Sequence, residues 1–270
     1  MKFSFPVALC AAALMSAPVQ AAHVAVFGDI NGGVADNLET DGNTIGIVNA
    51  TQVANGELIS GGYETFLFGR GYLETVDAAF LSEVERYLSY GGGLVTEYDG
   101  SALVFSGYEA TYRFDAGNPQ LGLIDGNIGA GQFLASSTPI DLIVDHPVTV
   151  NLGDPFKGGG GTQNFLTSGG LDFDQVQVIA EFAGNGSANF PAGDHPAILV
   201  GLEYNFDSIL FDAADNPNDL DIRRLFDNAV NYVAGDLSPP LPAVPLPASS
   251  WMLLLGLGGL GLLKVRRRNR

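Results

Sequence analysis

The residues best placed to do chemistry stand together: Glu97, Tyr98, Asp99 and Ser101, within Thr96-Glu97-Tyr98-Asp99-Gly100-Ser101. They follow Gly93-Leu94-Val95-Thr96, which reads as a short buried strand, and the C-terminal end of such a strand is the usual ligand edge of an open parallel sheet. Acids there suit binding or proton transfer, which makes Glu97 and Asp99 the first candidates for a ligand site. A phenol stays protonated at neutral pH, so Tyr98 is a poor nucleophile. Ser101 does not read as a serine-hydrolase nucleophile either, because Asp99-Gly100-Ser101-Ala102-Leu103 lacks the second glycine of that elbow.

The imidazoles are few. His146 and His195 each stand in Asp-His-Pro, a pattern that predicts a turn in which the Asp bonds nearby backbone and the Pro fixes the exit direction. His146 is kept as a candidate ligand-binding residue. Three scattered histidines with no H-x-x-x-H pattern and no cysteine pair argue against a zinc site. Asp29-Ile30-Asn31-Gly32-Gly33 begins like a calcium loop, but its Gly is misplaced and position twelve is Thr40. Asp215, Asn218, Asp219 and Asp221 crowd the start of the last helix, where acids suit the helix dipole. The run Gly158 to Gly161 with Thr162 has no lysine and no preceding strand, and reads as a flexible loop. Neither a metal nor a cofactor is expected.

The elements that must carry these residues are those of an exported chain. Residues 1–21 pair Lys2 with an apolar run from Phe3 to Met15 and the small-residue exit Val19-Gln20-Ala21, the layout of a signal peptide. Its removal takes Cys10, the only cysteine, so the mature chain has no thiol for a disulfide or a nucleophile. With 46% hydrophobic residues against 16% charged, the 270-residue chain can bury a core, which excludes a disordered acidic tail. The formal charge of −18 understates the acidity of the middle, since residues 22–236 hold six basic residues against all 30 acidic ones. That field repels nucleic acid and anionic lipid.

Residues 22–236 read as one α/β domain. Short apolar runs bounded by Gly and Asp at His23–Phe27, Thr44–Val48, Thr65–Phe68 and Gly93–Thr96 predict strands covered on both faces, as in a parallel sheet. Thr75–Tyr90 is amphipathic and predicts a helix closed by Gly91. Gln175–Phe182, Ala197–Glu203 and Ser208–Phe211 predict later strands, the last two paired through Tyr204-Asn205-Phe206. A final helix is expected with Asn216 as cap, Pro217 in first position, and Ile222, Leu225, Phe226, Ala229, Val230 and Val233 on its buried face. Between Ser101 and Phe173, Gly, Asn and polar residues interrupt every apolar run, and site-forming loops are expected there. Residues 237–243 are a proline-rich linker.

The tail is tripartite: Val244-Pro245-Leu246-Pro247-Ala248, an apolar stretch from Trp251 to Leu263, then a basic end from Lys264 to Arg270. Residues 244–270 resemble the VPLPA variant of the PEP-CTERM sorting signals of Gram-negative bacteria. The resemblance implies passage through the Sec machinery, a transient hold in the inner membrane by a transmembrane helix, and cleavage by an exosortase at the motif. The product then reaches the cell surface or the extracellular medium.

The body of the chain carries a second resemblance. Val24 to Gly28, Tyr63 to Leu67, Tyr87 to Val95, Asp145-His146-Pro147-Val148 and Asn228 to Tyr232 together resemble the class I glutamine amidotransferase-like superfamily, especially its trehalose-utilisation-type branch. The resemblance implies a flavodoxin-like three-layer α/β sandwich with a mostly parallel central sheet. In active members a Cys stands on the turn after the strand matching Gly93–Thr96; here Tyr98 stands about there, so the amidotransferase chemistry does not carry over. The expectation is a secreted surface or matrix protein that serves in binding or structure rather than catalysis, with exopolysaccharide as the partner such sorting systems imply. The alternative is an extracellular carbohydrate-active enzyme using carboxylates near Glu97 and Asp99.

Overall fold

Val24, Ala25, Val26 and Phe27 have no polar side to offer water, and they form β1 (His23–Phe27), buried beyond its first residue. In the computed structural model the described residues are 21–28, 33–69, 76–108, 121–128, 132–133, 138–158, 161–162, 174–184, 194–213 and 216–235. All lie in one unit of the chain that ends at Leu237. The expected signal peptide (apart from its last residue), linker and sorting tail lie outside the described residues. After β1 come α1 (Gly33–Thr40), β2 (Thr44–Ile47), the short α2 (Ala50–Ala54) and α3 (Glu57–Ser60), and β3 (Thr65–Phe68). Next are α4 (Ala78–Ser89) and β4 (Gly93–Glu97), both faces of which are buried.

The interrupted middle forms only small pieces. β5 (Phe105–Tyr108) pairs with β6 (Ile124–Ile128), and β7 (Gln132–Phe133) pairs with β10 (Gly161–Thr162), which follows β8 (Pro139–Leu142) and β9 (Phe156–Lys157). The chain closes with β11 (Val176–Ala183), β12 (Asp194–Gly201), β13 (Phe206–Ile209) and α5 (Leu220–Ala234).

Nine strands make one sheet in the order β2-β1-β3-β4-β13-β12-β11-β8-β9. The first five are parallel, in the flavodoxin-like order that leaves a topological switch point between β1 and β3. The last four are antiparallel to their neighbours, so the expected parallel sheet is parallel in its core half and extended by antiparallel hairpins. Helices α1 and α5 cover one face, where Val34, Leu38, Ile222, Leu225 and Val230 meet Val24, Val26, Val95 and Ile209. Helices α2, α3 and α4 cover the other, packing Val53, Leu58, Phe80 and Val84 on Phe27, Phe66, Phe68 and Leu94.

Four local expectations are corrected. Helix α4 starts at Ala78 and not at Thr75, because Asp77 caps it: its Oδ1 accepts the Phe80 N–H at 2.9 Å. The last helix is capped by Asp219, whose side chain accepts the Asp221 and Ile222 N–H groups, rather than by Asn216. Asn216 to Asp219 instead close a turn of their own, and the Pro217 carbonyl accepts Asn37 Nδ2 of α1 at 2.5 Å. His195-Pro196 lies inside β12 and not in a turn; the register against β11 shifts around Ala180 and Glu181, and such an irregularity accommodates a proline within a sheet. The Gly158 run follows the two-residue strand β9 rather than standing clear of any strand.

Candidate functional site

Strand β4 directs Leu94 and Thr96 toward the α4 face and Val95 and Glu97 toward the α5 face. At Tyr98 the chain turns sharply, with φ of +43°, the left-handed region that a bulky residue rarely enters. A 3-10 helix over Tyr98–Leu103 begins there. Gly100 comes two residues later and lies so close to the Phe68 carbonyl of β3 that any Cβ would collide with it. Strand, left-handed residue, tight glycine and helix together make a strand-to-helix elbow with Tyr98 at its apex. The glycine two places after Tyr98 was the sequence signal for this geometry. The resemblance had set Tyr98, and not Ser101, about at this turn.

The residues around Tyr98 are tied down by hydrogen bonds. Glu97, 2% exposed, accepts the Ala213 N–H on Oε1 at 2.8 Å and so fastens the segment after β13 to the end of β4. Thr96 Oγ1 donates to Ser101 Oγ at 3.1 Å, and Ser101 Oγ donates to the Ile209 carbonyl at 3.3 Å. Ser208 Oγ lies 2.7 Å from Thr96 Oγ1, whose proton is already given to Ser101, so Ser208 is the donor. A directed chain of hydroxyls thus runs Ser208 to Thr96 to Ser101 to Ile209. Ser101 is fully buried and bonded in both directions, which suits holding the 3-10 helix against β13 and not nucleophilic attack.

Two acids that sequence reasoning passed over lie in the same region. Asp207 and Asp212, on and just beyond β13, have no exposed surface. Desolvation pushes the Asp207 carboxyl well above the ordinary carboxylate range, so burial favours its neutral form. An acid inside the apolar run from Phe206 to Phe211 was the available signal.

The structure brings Glu97, Tyr98 and Ser101 to one strand end, and Asp99 with them by its backbone in the 3-10 helix. His146 is not part of that group. Its ring packs edge-on against Tyr232, with centroids 4.8 Å apart, near the C-terminal end of α5. That end lies by the start of β4, where a Cβ on Gly93 would press on Val233, so His146 is at the opposite end of the strands from Tyr98. The expected Asp-His-Pro turn does form there, but the histidine caps it: Nδ1 accepts the Val148 N–H at 3.3 Å, ahead of the Pro147–Thr149 turn. Desolvation lowers the His146 pKa, in keeping with a neutral ring whose Nδ1 is free to accept. Asp221, from the acidic group near α5, accepts the Gly153 N–H, and among the described residues no group of three His, Cys, Asp or Glu is placed to hold a metal ion.

Comparison with known proteins adds two findings. Residues 243–268 are a PEP-CTERM protein-sorting motif. The motif implies export, a transient hold at the membrane and exosortase processing on the way to the surface. The expected transmembrane helix within it lies outside the described residues; among those, no helix is long and apolar enough to cross a membrane. Among solved structures, a ThuA-like protein of Bacteroides uniformis is similar, at 17% identity and a TM-score of 0.55 over 81% of this chain and 92% of that one. A ThuA-like protein of Parabacteroides merdae gives 11% identity and 0.52, over 80% and 91%. A cytoplasmic protein of Salmonella typhimurium gives 13% and 0.53, over 78% and 98%. These likenesses show a fold shared with ThuA-like proteins, a mixed α/β architecture around a core sheet that is mostly parallel. No curated protein matches the sequence.

Proposed function

We propose that the exported domain serves in binding or structure at the cell surface or in the extracellular matrix of a Gram-negative bacterium. Its partner is an extracellular polysaccharide, and its ligand edge is formed by Glu97, Tyr98 and Asp99, with Ser101 holding the elbow from beneath. The Sec machinery delivers the chain, the inner membrane holds it by its tail, and exosortase releases it. The observation that carries this reading is Tyr98 at the elbow apex, where acyl-transfer chemistry calls for a thiol or an activated hydroxyl. A phenol at that apex keeps the scaffold without its reactive group, and the mature chain has no thiol to replace it. Tyr98 is only 8% exposed, so it fills the elbow more than it opens it.

The test uses purified protein against chromogenic glycosides and soluble polysaccharides. Saturable binding without turnover, weakened by Tyr98→Phe, is expected. Turnover abolished by Glu97→Gln would end the binding reading in favour of a carboxylate-dependent enzyme.

A further inference from the structure

The two edges of the nine-stranded sheet are treated differently. The edge at β9 is two residues long, preceded by Pro155 and carrying Lys157, both devices that blunt an edge against further pairing. The edge at β2 has none of these: Thr44-Ile45-Gly46-Ile47-Val48 has no charge and no proline, and its register against β1 runs without a bulge. The Thr44 N–H donates to the Ala22 carbonyl at 2.9 Å and the Val48 N–H to Val26 at 3.0 Å, so the even-numbered residues turn their backbone groups inward. Ile45 and Ile47 turn theirs outward, with no strand beyond them among the described residues. Ile47 is 68% exposed, the most exposed large hydrophobic residue among those described.

We propose that β2 is a self-association edge, along which two copies of this chain pair antiparallel across a two-fold axis at Gly46. With that axis, Ile45 stands opposite the partner's Ile47 and Ile47 opposite the partner's Ile45, each pair exchanging two backbone hydrogen bonds. The pairing covers Ile47 with a side chain of its own kind on the face where Ile45 already packs against the core. Gly46 suits the axis, because on the opposite face the Tyr63 ring fills the space that a Cβ would need and no side chain stands between the two backbones. A second copy brings the same neutral strand with Gly46 at its centre, so a single contact covers the exposed Ile47 of both chains. The strand is also neutral on a chain of formal charge −18, so no like charges face each other across the axis. A ladder of this size is a weak interface, and crowding at a cell surface strengthens it by effective concentration.

The full chain in detergent micelles, on a Cys10→Ser background that removes its one thiol, provides the test. The double variant Ile45→Cys, Ile47→Cys should form a disulfide-linked dimer on mild oxidation. Ile47→Cys alone should not, since two copies of residue 47 lie a full register step apart, beyond the reach of a disulfide. Sedimentation equilibrium should show self-association that Ile47→Lys weakens by about tenfold or more, with an unchanged melting temperature, as a lysine does on an edge strand. A chain that stays monomeric, equal cross-linking of the single and double cysteine variants, or association untouched by Ile47→Lys would each overturn the proposal.

Discussion

Asp207 stands on β13 beside Val95 of β4 and Val200 of β12, and neither of its carboxyl oxygens meets a hydrogen-bond partner among the described residues. Its pKa is raised by burial, so its contribution to stability is greatest in acid, below the ordinary carboxylate range, and is lost as pH rises through the raised value. Asp207→Asn keeps the shape and removes the titration. We expect the variant, compared with the native protein, to be relatively more stable at neutral pH than in acid, and to flatten the dependence of melting temperature on pH, read by thermal denaturation from acid to neutral pH. Equal melting profiles for the two proteins would refute this. Gly100 makes the opposite point at the elbow: Gly100→Ala forces a methyl group onto the Phe68 carbonyl and should cost about 1–3 kcal/mol in chemical denaturation.

The strands of the parallel half and the helices α4 and α5 were legible because the strand runs are apolar and each of these two helices has one apolar stripe. The short α1, α2 and α3 were not foreseen, and β2 lies at the sheet edge with Thr44 and Ile47 exposed rather than covered on both faces. Val24–Phe27 and Thr65–Phe68 can only lie inside, and Ile222, Leu225, Phe226, Ala229, Val230 and Val233 can only face one way. What was not legible depends on contacts distant in sequence. Asn216-Pro217 looks like a helix start in isolation, but Pro217 is claimed by Asn37 of α1 and the cap passes to Asp219. Asp219→Ala should therefore cost about 1 kcal/mol, whereas Asn216→Ala should leave α5 as stable as before, both measured by urea unfolding. At the candidate site, Glu97 and Tyr98 followed from their place after a buried strand. The distance of His146 did not, because only the tertiary packing of α5 decides which end of the sheet it joins.

For the whole molecule, export and fold are joined by a tail that carries five of the 12 basic residues. Mass spectrometry of the protein from its native host should find the residues beyond the Val244–Ala248 motif missing. Pro245→Ala with Pro247→Ala should leave them in place and the protein in the membrane fraction. An intact tail in the wild-type protein would remove the sorting account. The position of α5 adds a constraint on timing. It is the last described element before the tail, yet it roofs β3, β4 and β13, and Thr65 Oγ1 on β3 donates to its Val230 carbonyl at 2.8 Å. A chain emerging N-terminus first therefore leaves β3, β4 and β13 uncovered on the α5 side until its final helix is through. Maturation on the far side is gated by the stretch just ahead of the cleavage signal, and a secretion intermediate arrested before Leu220 should be the form that chaperones hold and proteases clear.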